Sequence, residues 1–319
     1  MKKLNRNGKP GQGSRVMKMT EPCKLCPRAC GVSRAEGEKG ACGESAVIRL
    51  ARAALHFWEE PCISGTKGSG AVFFSGCQLR CVYCQNQPIA HGSVGKEISF
   101  SRLVDIFFEL RDKGANNINL VTPDHFIPQI AEAIDEAKKN GFSLPFVYNT
   151  GSYVTVEALR MLDGRIDIYL PDLKYLDEVH AGEYSGAPDY PGVAKAALQE
   201  MYRQVGAVQF TQVPGEEEPM LRRGMVVRHL LLPGALADAK RIVAYLYDTY
   251  GDDIYISLMS QYTPGEAVAD HPLLRRRVRR KDYDALVDEA IRLGVENAFI
   301  QEGSAADESF IPAFDYEGV

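Results

Sequence analysis

Three cysteines, Cys77, Cys81 and Cys84, lie close together in the string GCQLRCVYCQN. Their spacing is Cys-x3-Cys-x2-Cys, and an aromatic residue, Tyr83, directly precedes the last cysteine. Three thiolates on one short loop can ligate three irons of a four-iron cluster. No fourth cysteine follows at the usual ferredoxin spacing, so one iron would stay open for chemistry. The main alternative is a zinc knuckle, but structural zinc takes four ligands and this trio has no partner cysteine nearby in the sequence. A disulfide is a weaker interpretation still.

A second set of cysteines, with the spacing Cys-x2-Cys-x3-Cys-x11-Cys, comprises Cys23, Cys26, Cys30 and Cys42. Four thiolates suit structural zinc and a closed iron–sulfur cluster equally well. A segment this short and polar needs a staple to fold, which favours a metal over a metal-free segment. Cys62 is left over, either as a buried free thiol or as a residue that approaches one of the clusters.

The loop that carries the first trio follows an apolar run, 71–76, which has the composition of a buried strand. Short apolar runs then alternate with amphipathic stretches, which predicts parallel strands joined by right-handed crossovers. A closed or partly closed β/α barrel fits this pattern best. The predicted strands are 71–76, 118–122, 145–149, 167–171, 225–232, 254–259 and 297–301, and the predicted helices are 101–113, 127–139, 155–162, 192–204, 236–250 and 282–293.

Polar side chains follow these predicted strands at the points where the strands end. Site residues of a β/α barrel collect at the C-terminal ends of its strands, so the accumulation predicts a shared pocket. Asp and Asn also cap helices and form turns, which is the alternative for any one of them. The residues are Thr122, Asp124, His125, Asn149, Thr150, Asp172, Lys174, Arg228, His229, Gln261 and Tyr262.

The composition is that of an ordinary globular protein, with 319 residues, 45% apolar and 25% charged. The apolar stretches are too short to span a membrane, and the basic start lacks the apolar core of a secretory signal. Eight cysteines, seven of them in two dense groups, therefore indicate metal ligation in a reducing compartment, the cytoplasm. The net charge of −5 carries no nucleic-acid footprint.

The chain divides into four predicted parts. Residues 1–20 form a disordered basic tail, 21–70 a cysteine-rich metal-binding segment, 71–303 the barrel and 304–319 a C-terminal tail. The predicted fold class is therefore α/β, a partial (β/α)6 TIM-like barrel with a small cysteine-rich N-terminal extension.

The cysteine loop, with its spacing, its aromatic residue and its preceding strand and glycine, resembles the signature of the radical S-adenosylmethionine (SAM) superfamily. In that superfamily the open iron of a 4Fe-4S cluster binds the amino and carboxylate groups of SAM. An electron passed through the cluster then splits SAM into methionine and a 5′-deoxyadenosyl radical. The resemblance implies the partial-barrel core of these enzymes.

Most of the chain is similar to the branch related to pyruvate formate-lyase activating enzyme, often called PflX-like. The strings that carry this resemblance are CKLCPRACG, EEPCISGTKGSGAVFFSGC, VTPDHF, DLKY, RHLLLPG and SQYTP. It implies that Tyr83 meets the adenine of SAM through its backbone, and that Lys174, beside Asp172, faces the SAM carboxylate. It also places His229 near the ribose, and Asn149 and Thr150 at a strand end that contacts SAM.

One element departs from the activases, which hold the SAM amino group with Gly-Gly-Glu at the end of the second strand. Here that place reads Thr122-Pro123-Asp124-His125, where the Thr122 hydroxyl or the Asp124 carboxylate can accept from an ammonium group. The substrate is therefore left open between a glycyl-radical enzyme, a small molecule and a peptide. The alternative from another class is a non-catalytic iron–sulfur or zinc protein, in which the trio finds a fourth protein ligand such as Cys62.

The expected partner is a reduced flavodoxin or ferredoxin that supplies the electron. The basic string Arg275–Lys281 is either a solvated face or a docking site for such an acidic donor. A protein substrate is a further expected partner, whereas no nucleic acid and no membrane is expected.

Overall fold

The computed structural model describes residues 22–301 and 312–319, so the predicted tail at 1–20 lies outside the described residues. The strands are β1 (Arg49–His56), β2 (Ser69–Phe74), β3 (Lys96–Glu97), β4 (Ile118–Val121), β5 (Phe146–Thr150), β6 (Ile168–Pro171), β7 (Gln209–Thr211), β8 (Met220–Leu230), β9 (Tyr255–Met259) and β10 (Ala298–Ile300). The helices are α1 (Pro61–Ser64), α2 (Gln87–Ala90), α3 (Phe100–Asp112), α4 (Ile127–Lys139), α5 (Val156–Arg160), α6 (Glu178–Ser185), α7 (Tyr190–Val205), α8 (Leu236–Tyr250) and α9 (Arg280–Leu293).

The strands form one sheet in the order β10-β9-β8-β6-β5-β4-β2-β1-β3, with β7 paired to β8. Seven of them, β2, β4, β5, β6, β8, β9 and β10, run parallel. Each of the first six is followed by at least one helix, which confirms the predicted (β/α)6 partial barrel. Among the described residues the two outermost strands, β10 and β3, do not pair with each other, so the barrel stays open.

The parallel strands are buried on both faces, as a barrel wall covered by helices must be. All residues of β2, β4, β5 and β6 are buried. The predicted apolar face of α3 packs against this wall, and the Ser99 side chain caps the helix by accepting from the Arg102 N–H group. At the N-terminal end of the barrel, Cys62 and Ile63 of α1 pack on Val147, Ile168 and Val226 and close the floor.

Three elements beside the site were not predicted, β1, α2 and α6. The sequence of β1, RLARAALH, is rich in residues that also favour helices, yet it runs antiparallel to β2. Residues 312–319 lie along β1, where the Ala53 N–H group donates to the Glu317 carbonyl (2.8 Å) and the Tyr316 N–H group donates to the Ala51 carbonyl (3.1 Å). Tertiary pairing therefore decides the conformation of β1.

Across the described ranges, no helix combines the length and the apolar character that crossing a bilayer requires. The cytoplasmic location and the domain boundaries stay predictions.

Candidate functional site

A cavity of ≈ 280 Å³ opens at the C-terminal ends of the parallel strands. Its lining includes all three loop cysteines, Cys77, Cys81 and Cys84. Another part of the lining is polar and charged, formed by Glu59, Asn149, Asp172, Lys174 and Arg228, which we call the charged wall. Thiol sulfurs and charged groups thus line one cavity, as the strand-end pattern predicted.

The cysteine loop leaves β2 through a turn that only glycine accommodates. Gly76 has φ 86°, and a Cβ atom there would lie 2.5 Å from the Glu44 side chain and 2.8 Å from the Cys42 carbonyl oxygen. The Cys77 N–H group donates to that Cys42 carbonyl (3.2 Å), and the Cys84 N–H group donates to the Cys81 carbonyl (3.1 Å). The backbone therefore holds the loop against the N-terminal cysteine segment.

Two of the loop thiols, those of Cys77 and Cys84, are poor acids while they carry protons. Burial, reinforced by the neighbouring sulfurs, raises the pKa of Cys77 well above its usual value and that of Cys84 to about 11. A coordinated metal compensates such a site, because its positive charge deprotonates the thiols. The donor set therefore fits an iron–sulfur cluster.

A continuous series of ion pairs and hydrogen bonds joins the residues of the charged wall. Lys174 Nζ lies 2.6 Å from Asp172 Oδ2, and the Arg228 guanidinium donates to Asp172 Oδ1 (3.0 Å) and to Glu59 Oε2 (3.1 Å). Asn149 Oδ1 accepts a further bond from Arg228 (2.6 Å). Glu59 Oε1 in turn accepts from Asn119 (2.9 Å), so the series spans the barrel from β4 to β8.

Asp172, Lys174 and Arg228 hold one another ionised. Burial opposes the ionisation of Asp172, but the Lys174 and Arg228 cations outweigh it and hold its pKa below the usual range. Burial likewise opposes the Lys174 ammonium, yet Asp172 and the Cys81 sulfur raise the pKa of Lys174. The wall therefore presents a fixed ammonium group beside the three sulfurs.

Glu59 is the site residue that the sequence analysis missed. It follows β1 rather than a parallel strand, so no strand-end pattern marked it. Its side chain is only 9% exposed, and burial raises its pKa while Arg228 opposes that shift. Its neighbour Glu60 is also buried, with its pKa raised by burial, and hydrogen-bonds to Ser257 of β9. In the sequence, the only feature that could have indicated Glu59 is the pair of adjacent glutamates, Glu59 and Glu60, shortly after β1.

Five of the eight predicted SAM-contacting residues line the cavity: Tyr83, Thr122, Asn149, Asp172 and Lys174. The side chains of Asp124, Thr150 and His229 do not line it. Asp124 Oδ1 accepts from the hydroxyls of Tyr148 (2.9 Å) and Thr150 (2.6 Å). His229 Nδ1 lies 2.8 Å from the Leu173 carbonyl oxygen, and burial lowers the pKa of this histidine.

Two non-glycine residues with a positive φ lie beside the cavity. Thr122 and Ser152 have φ of 55° and 63°, in the left-handed region that L residues rarely adopt. Thr122 is β-branched, which makes this conformation more costly. Both follow C-terminal ends of parallel strands, β4 and β5, where such strain is typical of functional sites.

The N-terminal cysteines adjoin the same loop. Cys23 and Cys42 are buried, and a Cβ atom at Gly40 would lie 3.0 Å from Cys30 Sγ and 3.6 Å from Cys42 Sγ. Burial raises the pKa of Cys26 to about 11, with added contributions from the other three cysteines of the set. The four sulfurs therefore face one small region of the segment.

Arg34 lies beside this set and is only 2% exposed. Its guanidinium donates to the carbonyls of His125 and Ser45, and it makes no ion pair with a carboxylate in the part of the chain that is described. Its positive charge acts on Cys42, where it opposes the burial that raises the pKa of that thiol. A buried cation of this kind is stabilised by an anionic neighbour, such as a metal-bound thiolate.

Within residues 22–301 and 312–319, no three His, Cys, Asp or Glu side chains have the arrangement of a single-ion metal site. A four-iron cluster binds each cysteine at a different iron, so its ligands lie further apart than those of one ion. Cys62, the residue considered as a fourth ligand, lies in the apolar floor and does not line the cavity.

No protein-family model matches the chain. An uncharacterized protein of Methanocaldococcus jannaschii is 24% identical over 283 residues, which are 86% of this chain and 75% of that protein. This degree of identity does not define a family.

Several solved structures are similar at a low level. SuiB of Streptococcus suis, bound to S-adenosylmethionine, has a TM-score of 0.45 at 12% identity over 72% of this chain. The FeFe-hydrogenase maturase HydG of Carboxydothermus hydrogenoformans has a TM-score of 0.43 at 16% identity over 70%. A spore photoproduct lyase variant has a TM-score of 0.46 at 11% identity, covering 72% of this chain and 74% of that one. The chain spans about half the length of the SuiB and HydG chains, 49% and 55%.

Proposed function

We propose that this protein is a radical SAM enzyme. The observation that carries the proposal is the meeting of Cys77, Cys81 and Cys84 with the charged wall of Asp172, Lys174 and Arg228 in one cavity. A 4Fe-4S cluster with an open iron, together with SAM, supplies a 5′-deoxyadenosyl radical that abstracts a hydrogen atom from a substrate.

The residues of this chain bind and orient. The three loop cysteines hold the cluster. Lys174, held by Asp172, faces the SAM carboxylate, and Asn149 and the Thr122 hydroxyl offer polar contacts beside it. The apolar part of the lining, including Phe73, excludes water from the reacting atoms.

Formation of 5′-deoxyadenosine tests the proposal. The protein is purified and reconstituted without oxygen, supplied with SAM and dithionite, and the nucleoside is quantified by chromatography. We expect product to accumulate above a control without protein. A reconstituted protein that neither binds SAM in isothermal titration nor forms the nucleoside would contradict the enzyme interpretation.

Two substrate classes follow from this function, a glycine of a partner enzyme and a small molecule or peptide. The resemblance to the activases supports the first class. The replacement of Gly-Gly-Glu by Thr122-Pro123-Asp124-His125 supports the second, because the amino-group contacts differ. Deuterium transferred from a labelled candidate into 5′-deoxyadenosine identifies the substrate, and a candidate that transfers none is excluded.

We further propose that Cys23, Cys26, Cys30 and Cys42 bind a second metal, either a closed iron–sulfur cluster, whose ligands lie further apart than those of one ion, or zinc once the four sulfurs close around it. The buried Arg34 beside this set supports anionic thiolates. Zinc and iron contents of a variant without the three loop cysteines test the proposal, because only the second site remains in it.

The proposed electron donor is an acidic protein such as reduced flavodoxin. Arg275–Lys281 spans the end of the connection from β9 to α9 and the first two residues of α9, and Arg275, Arg276 and Lys281 are exposed. This connection adjoins the cysteine loop, since Gln85 Nε2 donates to the Gln261 carbonyl (3.0 Å) and the rings of Tyr83 and Tyr262 are 6.2 Å apart. Cations at that place attract an acidic donor toward the cluster.

Replacing Arg275, Arg276 and Lys281 by glutamine is expected to slow flavodoxin-driven 5′-deoxyadenosine formation about tenfold at low salt, because electrostatic steering is lost. The dithionite-driven rate should stay unchanged. The matched control replaces Lys113, Lys139 and Arg292, which lie near the C-terminal ends of α3, α4 and α9 on the opposite side of the barrel. Equal slowing by both triple variants would argue against this docking surface.

A further inference from the structure

A chain of hydroxyl groups connects the cavity to one of the loop cysteines. Cys81 Sγ lies 2.9 Å from Ser185 Oγ, and Ser185 Oγ lies 2.8 Å from the Tyr175 hydroxyl. The Tyr175 hydroxyl donates to the Tyr83 hydroxyl (2.5 Å), and Tyr83 lines the cavity. Ser185 and Tyr175 are 0% and 1% exposed, so water does not compete for these bonds.

The backbone fixes Ser185 against the cysteine loop. The Val82 N–H group donates to the Tyr184 carbonyl (2.9 Å), and the Arg80 N–H group donates to the Ser185 carbonyl (3.3 Å). Arg28 of the N-terminal segment donates to the Gly186 carbonyl (2.6 Å) at the end of α6. Two separate parts of the chain, the cysteine loop and the N-terminal segment, therefore hold the end of α6 so that the Ser185 hydroxyl lies beside the Cys81 sulfur.

The protonation state of Cys81 determines in which direction the hydrogen bonds of this hydroxyl chain run. Each hydroxyl has one proton to donate, and a thiolate has none. A protonated Cys81 can donate to Ser185, and the hydrogen bonds can then run outward, from Ser185 to Tyr175 and from Tyr175 to Tyr83. A thiolate can only accept, so Ser185 must donate to Cys81, Tyr175 to Ser185, and Tyr83 to Tyr175.

We propose that, when Cys81 binds the cluster as a thiolate, the Ser185–Tyr175–Tyr83 chain donates a hydrogen bond to its sulfur and raises the reduction potential of the cluster. This inference rests on the proposed function, since it needs the cluster. A hydrogen bond to a ligand sulfur stabilises the more negative, reduced state. Ser185 is thus a positioning and tuning residue that does not touch the substrate.

A redox titration followed by electron paramagnetic resonance tests the inference without relying on activity. At a fixed applied potential, we expect the ratio of reduced to oxidised cluster to fall about tenfold in Ser185→Ala, which is about 59 mV for one electron. Tyr175→Phe should shift the reduction potential in the same direction but by a smaller amount. In that variant Ser185 can still donate to Cys81, but it no longer accepts a hydrogen bond from the Tyr175 hydroxyl. Ser185→Thr keeps a hydroxyl and should restore most of the shift.

The control is Ser69→Ala, which removes another fully buried serine hydroxyl, one without a hydrogen-bond partner among the described residues. Its potential should equal that of the wild type. The wild type itself gives a second readout, because deuterium from heavy water at Ser185 should couple to the cluster in electron–nuclear double resonance. This measurement on the wild type tests the hydrogen bond from Ser185 to the Cys81 sulfur even if Ser185→Ala fails to fold.

Different results would contradict the proposed hydrogen bond to Cys81 and the proposed function of the protein. A cluster with an unchanged potential in Ser185→Ala and Tyr175→Phe, or without a coupled exchangeable deuterium in the wild type, would overturn the inference alone. A wild type that binds no cluster would overturn the proposed function and the inference with it.

Discussion

A variant in which Cys77, Cys81 and Cys84 are all replaced by alanine is expected to form no 5′-deoxyadenosine above the level of buffer without protein. The three sulfurs are the only cysteine ligands that line the cavity in the described part of the chain. Cys62, which could otherwise substitute, packs in the apolar floor among Val147, Ile168 and Val226. Without these thiolates no cluster can be held beside Lys174, so SAM cannot be reduced.

The same variant reports on the second metal site. Because Cys23, Cys26, Cys30 and Cys42 are unchanged, it should retain about one zinc or about four irons per chain. The complementary variant, Cys26→Ser with Cys30→Ser, should lose that metal and keep the loop cluster. A triple variant that contains neither metal, although folded by circular dichroism, would refute the second site.

Cys62→Ala is the matched control for both measurements. It removes a buried thiol, whose pKa burial raises to about 12, without touching either cysteine set. We expect product formation and metal content like those of the wild type. Loss of the loop cluster in Cys62→Ala would instead identify Cys62 as a fourth ligand and favour a non-catalytic iron–sulfur protein.

Arg228→Met is expected to destabilise the fold by about 3–5 kcal/mol, because it leaves the Glu59 carboxylate, only 9% exposed, without its cation and leaves Asp172 with Lys174 alone. The Arg228 side chain is 16% exposed and bonds to both Glu59 and Asp172. Unfolding by denaturant measures the loss. SAM affinity should also fall, since Asp172 no longer holds Lys174 in a fixed place.

The destabilisation should depend on pH in a definite direction. The pKa of Asp172 is depressed in the folded protein, so its pairing stabilises the fold above the ordinary carboxyl pKa and is lost as pH falls. The difference in the free energy of unfolding between wild type and Arg228→Met should therefore become smaller as the pH falls below the ordinary carboxyl pKa toward the depressed pKa of Asp172. If this difference in the free energy of unfolding stays constant while the pH falls through the pKa of Asp172, the Asp172 charge is not what Arg228 stabilises.

Two further variants isolate the buried charges. Arg292→Met removes an exposed ion pair with Glu289 and should leave the stability of the fold almost unchanged. Adding Glu59→Gln to Arg228→Met removes one unpaired carboxylate and should recover part of the stability. An Arg228→Met variant no less stable than Arg292→Met would contradict the charged-wall interpretation.

The sequence by itself determined the features that depend on local spacing. The cysteine interval, the strand before it and the alternation of apolar runs with amphipathic helices were enough to predict a partial (β/α)6 barrel. The polar strand ends at Asn149, Asp172 and Lys174 were predicted as one pocket, and all three line the cavity. These succeed because parallel strands bring their C-terminal ends to one edge whatever the helices between them contain.

Only the tertiary structure decided the contacts between distant segments. β1 is a strand because β2 pairs with it, although its own residues also favour a helix. Glu59 enters the cavity from that strand, and Ser185 reaches Cys81 from the end of α6. Asp124, Thr150 and His229 have the right residue types at strand ends, yet their side chains do not line the cavity. Residue type and spacing therefore specify which groups reach the site edge, whereas sheet pairing and side-chain direction decide which of them enter the cavity.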